Sequence, residues 1–78
     1  MNIFVRNRRT MLALGIARIE WNANRRHESI WTVVLEDGDE FTVTTALLGT
    51  ESTVLRIAAE KLQQMGRQVN YPTGKVNA

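Results

Sequence analysis

Two runs of β-branched and aromatic residues stand on either side of a turn signal. Ile30, Trp31, Thr32, Val33, Val34 and Leu35 precede Asp37-Gly38, and Phe41, Thr42, Val43, Thr44 and Thr45 follow it, so residues 29–45 read as a β-hairpin. Side-chain period fixes the loop length. A two-residue turn would place Phe41 opposite Val34 and split the large apolar side chains between the two faces. A three-residue loop, Glu36-Asp37-Gly38, with Gly38 left-handed, places Val33 opposite Phe41 and Trp31 opposite Val43. Trp31, Val33, Leu35, Phe41 and Val43 then share one buried face, and this odd loop is the expectation.

The period changes after the hairpin. Leu55, Ala58, Ala59, Leu62 and Met65 recur at helical spacing, so residues 50–66 read as a helix with Thr50 as its cap and Gly66 as its stop. Arg56, Glu60, Gln63 and Gln64 face away from that stripe, and Ile57 falls among them as a single exposed apolar residue. The two central alanines let the helix approach the Trp31/Phe41 face closely.

Before the hairpin, residues 10–21 read as a longer strand. Ala13, Gly15, Ala17, Ile19 and Trp21 would face the helix, and Leu12, Leu14, Ile16, Arg18 and Glu20 the other side. Gly15 could instead mark a bulge that turns Leu12 and Leu14 inward. Residues 67–71 suggest a short edge strand closed by Pro72. The expected class is therefore α+β: a two-layer sandwich in which a three- to four-stranded antiparallel sheet carries one helix on one face, in the order β-β-β-α with a short final β. Residues 1–78 form one domain, comprising a basic arm (1–9), a folded core (10–71) and a flexible tail (72–78).

Length and composition narrow the function. A 78-residue chain without cysteine and with one histidine has no disulfide and no Cys-based metal site to reinforce a small core. Burial against a second chain is an early suspicion. The longest apolar run, residues 11–17, is far short of the ~20 residues of a membrane helix. Arg6, Arg8 and Arg9 ahead of it imitate a signal peptide, but no small-residue cleavage site follows, so a cytoplasmic location is expected. A start at Met11 in place of Met1 would remove those three arginines.

The net charge of +2 conceals a polarised chain. Residues 1–27 carry a net +5, residues 28–51 a net −6 and residues 52–78 a net +3. Such asymmetry points to an acidic partner or nucleic acid near the N-terminus.

Catalytic chemistry has little to stand on. His27 lies in a polar loop and reads as a solvated residue, and neither it nor any Ser or Thr has a readable partner for nucleophilic catalysis. Glu36, Asp37, Asp39 and Glu40 lack the spacing of a calcium loop and read as a charged hairpin tip that discourages edge aggregation. The glycines match no nucleotide fingerprint. We therefore expect no enzyme, no catalytic or metal-ligating residue, no cofactor, no small-molecule substrate and no membrane partner.

Binding remains, in two forms. Leu12, Leu14, Ile16, Ile30 and Val34 would form an apolar row on the sheet face away from the helix, suited to a second copy or a protein target. Arg6, Arg8, Arg9, Arg25 and Arg26 would gather if the arm passes the loop between the first two strands, and guanidinium forks suit phosphates and carboxylates.

Two resemblances bear on that choice. Three antiparallel strands followed by a helix opening at Thr50-Glu51-Ser52-Thr53 is similar to the arm-binding domain of phage integrases and to plant ethylene-response-factor domains, which implies a sheet laid in the DNA major groove. The outer face here would instead show Ile30, Thr32, Val34, Thr42 and Thr44, with Glu36 and Glu40 near the turn. In size, charge polarity and make-up the chain also resembles small host-modulating proteins of phages and mobile elements, anti-CRISPR inhibitors among them. That resemblance implies stoichiometric occlusion of a target. The leading expectation is a non-enzymatic, self-associating protein-interaction or inhibitor module, dimeric by that row; the alternative is a DNA-binding module using the arginines.

Overall fold

A computed structural model describes residues 3–67, with side chains described from Asn7 onward. The elements run α1 (Ile3–Leu14), β1 (Ile16–Arg25), β2 (Glu28–Leu35), β3 (Glu40–Ala46) and α2 (Glu51–Gln64). The class is α+β, with one antiparallel sheet in the order β1-β2-β3. Leu14 of α1 shares a single core with Ile16, Val33, Leu35 and Val43 of the sheet and with Val54, Leu55, Ala58, Ala59 and Leu62 of α2. Both helices therefore lie on one face of the sheet, and the described residues hold two helices where one was expected.

The hairpin forms as its side-chain period requires. Val33 pairs with Phe41 and Trp31 with Val43. Gly38 has φ 96, and its N–H donates to the Leu35 carbonyl at 3.0 Å, closing the three-residue loop. Val33, Leu35 and Val43 are buried, with Trp31 and Phe41 packed against them.

Helix α2 also follows its pattern, with three refinements. Thr50 occupies the N-cap position, but its side chain makes no capping bond to the backbone. Met65 is 49% exposed and lies outside the core, because the helix ends at Gln64 and Gly66, at φ 84, turns the chain away. Ile57 packs against the core instead of facing solvent fully. Lys61 donates to the Thr42 carbonyl at 3.1 Å and stands 5.8 Å above the Phe41 ring, so α2 covers part of the edge strand β3.

The N-terminal third departs most from the sequence reading. Residues 10–14, expected in a strand, end helix α1, and residues 3–9, expected as an arm, are also helical. Arg, Met, Leu and Ala are strong helix formers, and the first β-branched residue after Thr10 is Ile16. Gly15, at φ 72, is the left-handed stop: its N–H donates to the Leu12 carbonyl at 3.2 Å. β1 then continues to Arg25, through residues expected to be loop.

β1 carries extra residues at Ala17 and Asn22, where its register against β2 shifts. Each such bulge reverses the phase of side-chain alternation. That reversal puts Ile16 and Ile19 on the same, inner face, where strict alternation would separate them. The proposed final strand at residues 67–71 falls largely outside the described residues.

Candidate functional site

The expected apolar row is divided by the fold. Leu14 and Ile16 belong to the core, at 7% and 2% exposure, and Leu12 projects from α1 at 74%. Leu12 rims a shallow hollow with Arg8, Met11, Ile16, Ala17 and Glu36. Only Ile30 and Val34 lie on the outer sheet face, both half-buried along the central strand.

Around those two residues the strand pairings set out four ranks across the outer face. Arg18, Val34 and Glu40 form one rank; Glu20, Thr32 and Thr42 the next; Ala23, Ile30 and Thr44 the third; Arg25, Glu28 and Ala46 the last. Neither helix packs on this side. Arg18 Nε donates to Glu20 at 2.8 Å. That hydrogen bond and charge raise the Arg18 pKa above its ordinary value, and the charge of Glu40 adds to the effect. The side chain of Asn22, re-aimed by its bulge, donates to Thr32 at 3.3 Å.

The arginines do not assemble as one patch. Arg8 shares its hollow with Glu36, near the first residue of β1, whereas Arg25, Arg26 and His27 sit at the turn that ends it. Ten residues of strand, ~30 Å, separate the two ends. Arg8 and Arg9 are exposed on α1, and the Arg6 side chain lies outside the described residues.

At the turn end, three apolar residues that the sequence reading had not assigned to a site are open to solvent: Trp21, Leu47 and Leu48. Trp21 faces Trp31 across the strands. Its Nε1–H donates to Asn24 Oδ1 at 3.3 Å; the Ser29 hydroxyl lies 2.8 Å from that oxygen and 3.2 Å from the Leu47 carbonyl. The available signal for Leu47 and Leu48 was their position just before Gly49-Thr50, outside both the strand and helix periods.

The opposite end is tied down electrostatically. Arg67, just past α2, reaches Asp37 at 3.1 Å and Asp39 at 3.0 Å. The hairpin tip thus clasps the end of α2. The Asp39 backbone N–H and, less strongly, Arg67 hold the Asp37 carboxyl below its ordinary value. A lowered folded-state pKa means that this contribution is present above the unfolded value, ~3.9, and is lost as pH falls through the folded value. We expect Asp37→Asn to lower the melting temperature slightly at pH 7, and that difference from the parent to shrink as pH falls below the usual carboxylate range. Melting followed by circular dichroism across that range checks it.

Among the described residues, no three His, Cys, Asp or Glu side chains gather where a metal ion could be held. Nor is any helix among them long and apolar enough to cross a membrane. No protein-family model, curated protein or solved structure matches the chain. The site is therefore read from its own geometry, which offers an open sheet face and a shallow hollow beside α1.

Proposed function

We propose that this protein is a non-enzymatic interaction module that acts by stoichiometric binding and pairs with a second copy of itself through the outer sheet face. The observation that carries this reading is the rank Arg18, Val34, Glu40. A two-fold axis lying between two stacked sheets and running along β2 brings β1 of one copy over β3 of the other. Val34 then meets Val34, Ile30 meets Ile30, and each Arg18 faces a Glu40. At that rank the contact is self-complementary in charge, as an isologous pairing requires, and its weak point is the turn end of β2, where Glu28 meets Glu28.

Size sets the strength. Three strands present a face about 15 Å wide and about 25 Å long, so two copies bury on the order of 700 Å², well under the ~1,200 Å² of stable complexes. The dimer is accordingly weak, with dissociation in the high-micromolar range. This suits a module that exchanges its own copy for a larger target surface, the mode of an occluding inhibitor.

Sedimentation velocity over a wide concentration series tests the proposal. We expect a monomer–dimer equilibrium for the parent and a monomer throughout for Val34→Glu, with an unchanged circular dichroism spectrum. A parent that stays monomeric at the highest concentration contradicts the reading. DNA binding through Arg6, Arg8, Arg9, Arg25 and Arg26 acting together draws less support, because the described members of that set stand at opposite ends of β1 and Glu20, Glu28 and Glu40 punctuate the face between them.

A further inference from the structure

The hollow beside α1 is lined by apolar side chains with one charge of each sign. Met11, Leu12, Ile16 and Ala17 supply the apolar surface, and Arg8 and Glu36 the charges. Leu12 stays 74% exposed there. The volume is about 230 Å³, below the ~300–1,000 Å³ of small-molecule pockets. A space of that size suits one large side chain.

The end of α2 is brought to the same place by a chain of contacts. The Gly15 N–H donates to the Leu12 carbonyl at 3.2 Å, and the Gly15 carbonyl accepts the Glu36 N–H at 2.9 Å, so the hairpin tip abuts the α1–β1 junction. Asp37, next in the chain, holds Arg67 at 3.1 Å, and Asp39 holds it at 3.0 Å. The segment after Arg67 therefore sets out from beside the hollow. It reads Gln68, Val69, Asn70, Tyr71, Pro72. Four extended residues cover about 13 Å, enough to carry Tyr71 from the clasp to Leu12. In such a segment Val69 and Tyr71 share one face. A tyrosine matches the chemistry of the hollow, since its ring takes apolar contacts while its hydroxyl can accept from Arg8 or donate to Glu36.

We propose that residues 68–72 fold back over the α1–β1 junction and seat the Tyr71 ring on Met11 and Leu12, so that the hollow is filled by the chain itself. Tethering at Arg67 gives the segment an effective concentration in the millimolar range, which favours it over a free partner. The contact lies on the helix side of the sheet and the self-association face on the other, so either can fail without the other.

The chain has no cysteine, so disulfide trapping in the full chain tests the contact directly. The pair Leu12→Cys with Tyr71→Cys is compared with Gln64→Cys with Tyr71→Cys, because Gln64 is exposed and nearer to Tyr71 along the chain. Under mild oxidation the Leu12 pair is expected to close an intramolecular bond at least about tenfold faster than the Gln64 pair. In the cysteine-free chain, Leu12→Ala and Tyr71→Ala should each lower the melting temperature by about 4 °C, and the double variant by no more than either alone. An uncovered Leu12 would tolerate alanine with little change. Equal closure rates for the two pairs, a bond formed mainly between copies, or melting shifts that are negligible or additive overturn the proposal.

Discussion

Replacing Leu55 with alanine is expected to lower the melting temperature by at least ~12 °C, corresponding to about 3 kcal/mol lost from the folded state. Leu55 is 1% exposed in the middle of the α2 stripe, and it belongs to a core of ten buried apolar residues among those described. In a larger protein the surrounding side chains could share the loss. Here the two alanines, Ala58 and Ala59, already bring the α2 backbone close to the sheet and leave little side chain that can move into the gap. A domain of this size is stable by only several kcal/mol, so the substitution should leave a measurable unfolded population at room temperature. Met65→Ala is the matched control. Its side chain lies on the same sequence period but is about half exposed beyond the helix end, and its removal should change the melting temperature by no more than ~3 °C. Thermal melts of both variants under one set of conditions check the pair.

Gly49→Ala is expected to cost about 1–3 kcal/mol, from overpacking alone. Gly49 does not have a left-handed backbone; its constraint is space. A methyl group at this position would stand 2.5 Å from Thr45 Oγ1, 2.7 Å from Thr45 Cβ and 3.1 Å from the Ala46 carbonyl oxygen. Thr45 cannot easily give way. Its side chain is buried on the inner face, where its hydroxyl accepts the Trp31 indole N–H at 3.3 Å and donates to the Ala46 carbonyl at 2.8 Å. A displaced Thr45 therefore disturbs Trp31 as well. The expected readout is a lower denaturation midpoint together with a changed tryptophan emission spectrum. Leu48→Ala, one residue away but 90% exposed, should alter neither stability nor emission appreciably.

The Leu55 expectation rests on a part of the fold legible in the sequence, whereas the close approach of Gly49 to Thr45 is set by the structure alone. The register of β2 against β3 followed from asking which loop length keeps Trp31, Val33, Leu35, Phe41 and Val43 on one face, and the pairing of Val33 with Phe41 is the answer. The α2 stripe was equally legible, because Leu55, Ala58, Ala59 and Leu62 satisfy the helical period and no other. Residues 10–16 were not. Leu12, Leu14 and Ile16 alternate as a strand would, yet the first two lie on a helix stopped by Gly15 and the third begins a strand. Alternation over so few positions fits both periods, and the deciding features were the run of helix formers and the left-handed glycine.

The bulges were harder still to foresee. An extra residue at Ala17 leaves no compositional mark, but it reverses the face of everything before it and carries Ile16 from the outer row into the core. The candidate interface shrank accordingly. Of its five residues, Ile30 and Val34 occupy the outer face; Leu14 and Ile16 became core, and Leu12 an isolated projection from α1. The same correction supplied what the sequence could not. Charge pattern along the chain placed bases early and acids in the middle, but only strand register sets Arg18, Val34 and Glu40 in one line across the face.

Self-association through the outer sheet face is tested most directly by exchanging the two charges that the pairing sets opposite each other. Sedimentation equilibrium would be run on the parent, on Arg18→Glu, on Glu40→Arg and on the double variant. Both side chains are exposed, so none of these changes should disturb the fold. The predicted result is a dimer that weakens about tenfold or more in each single variant, where like charges face one another, and returns to near the parent's strength when both are exchanged. Single variants that dimerise like the parent, or a double variant that stays monomeric where the parent pairs, would contradict it.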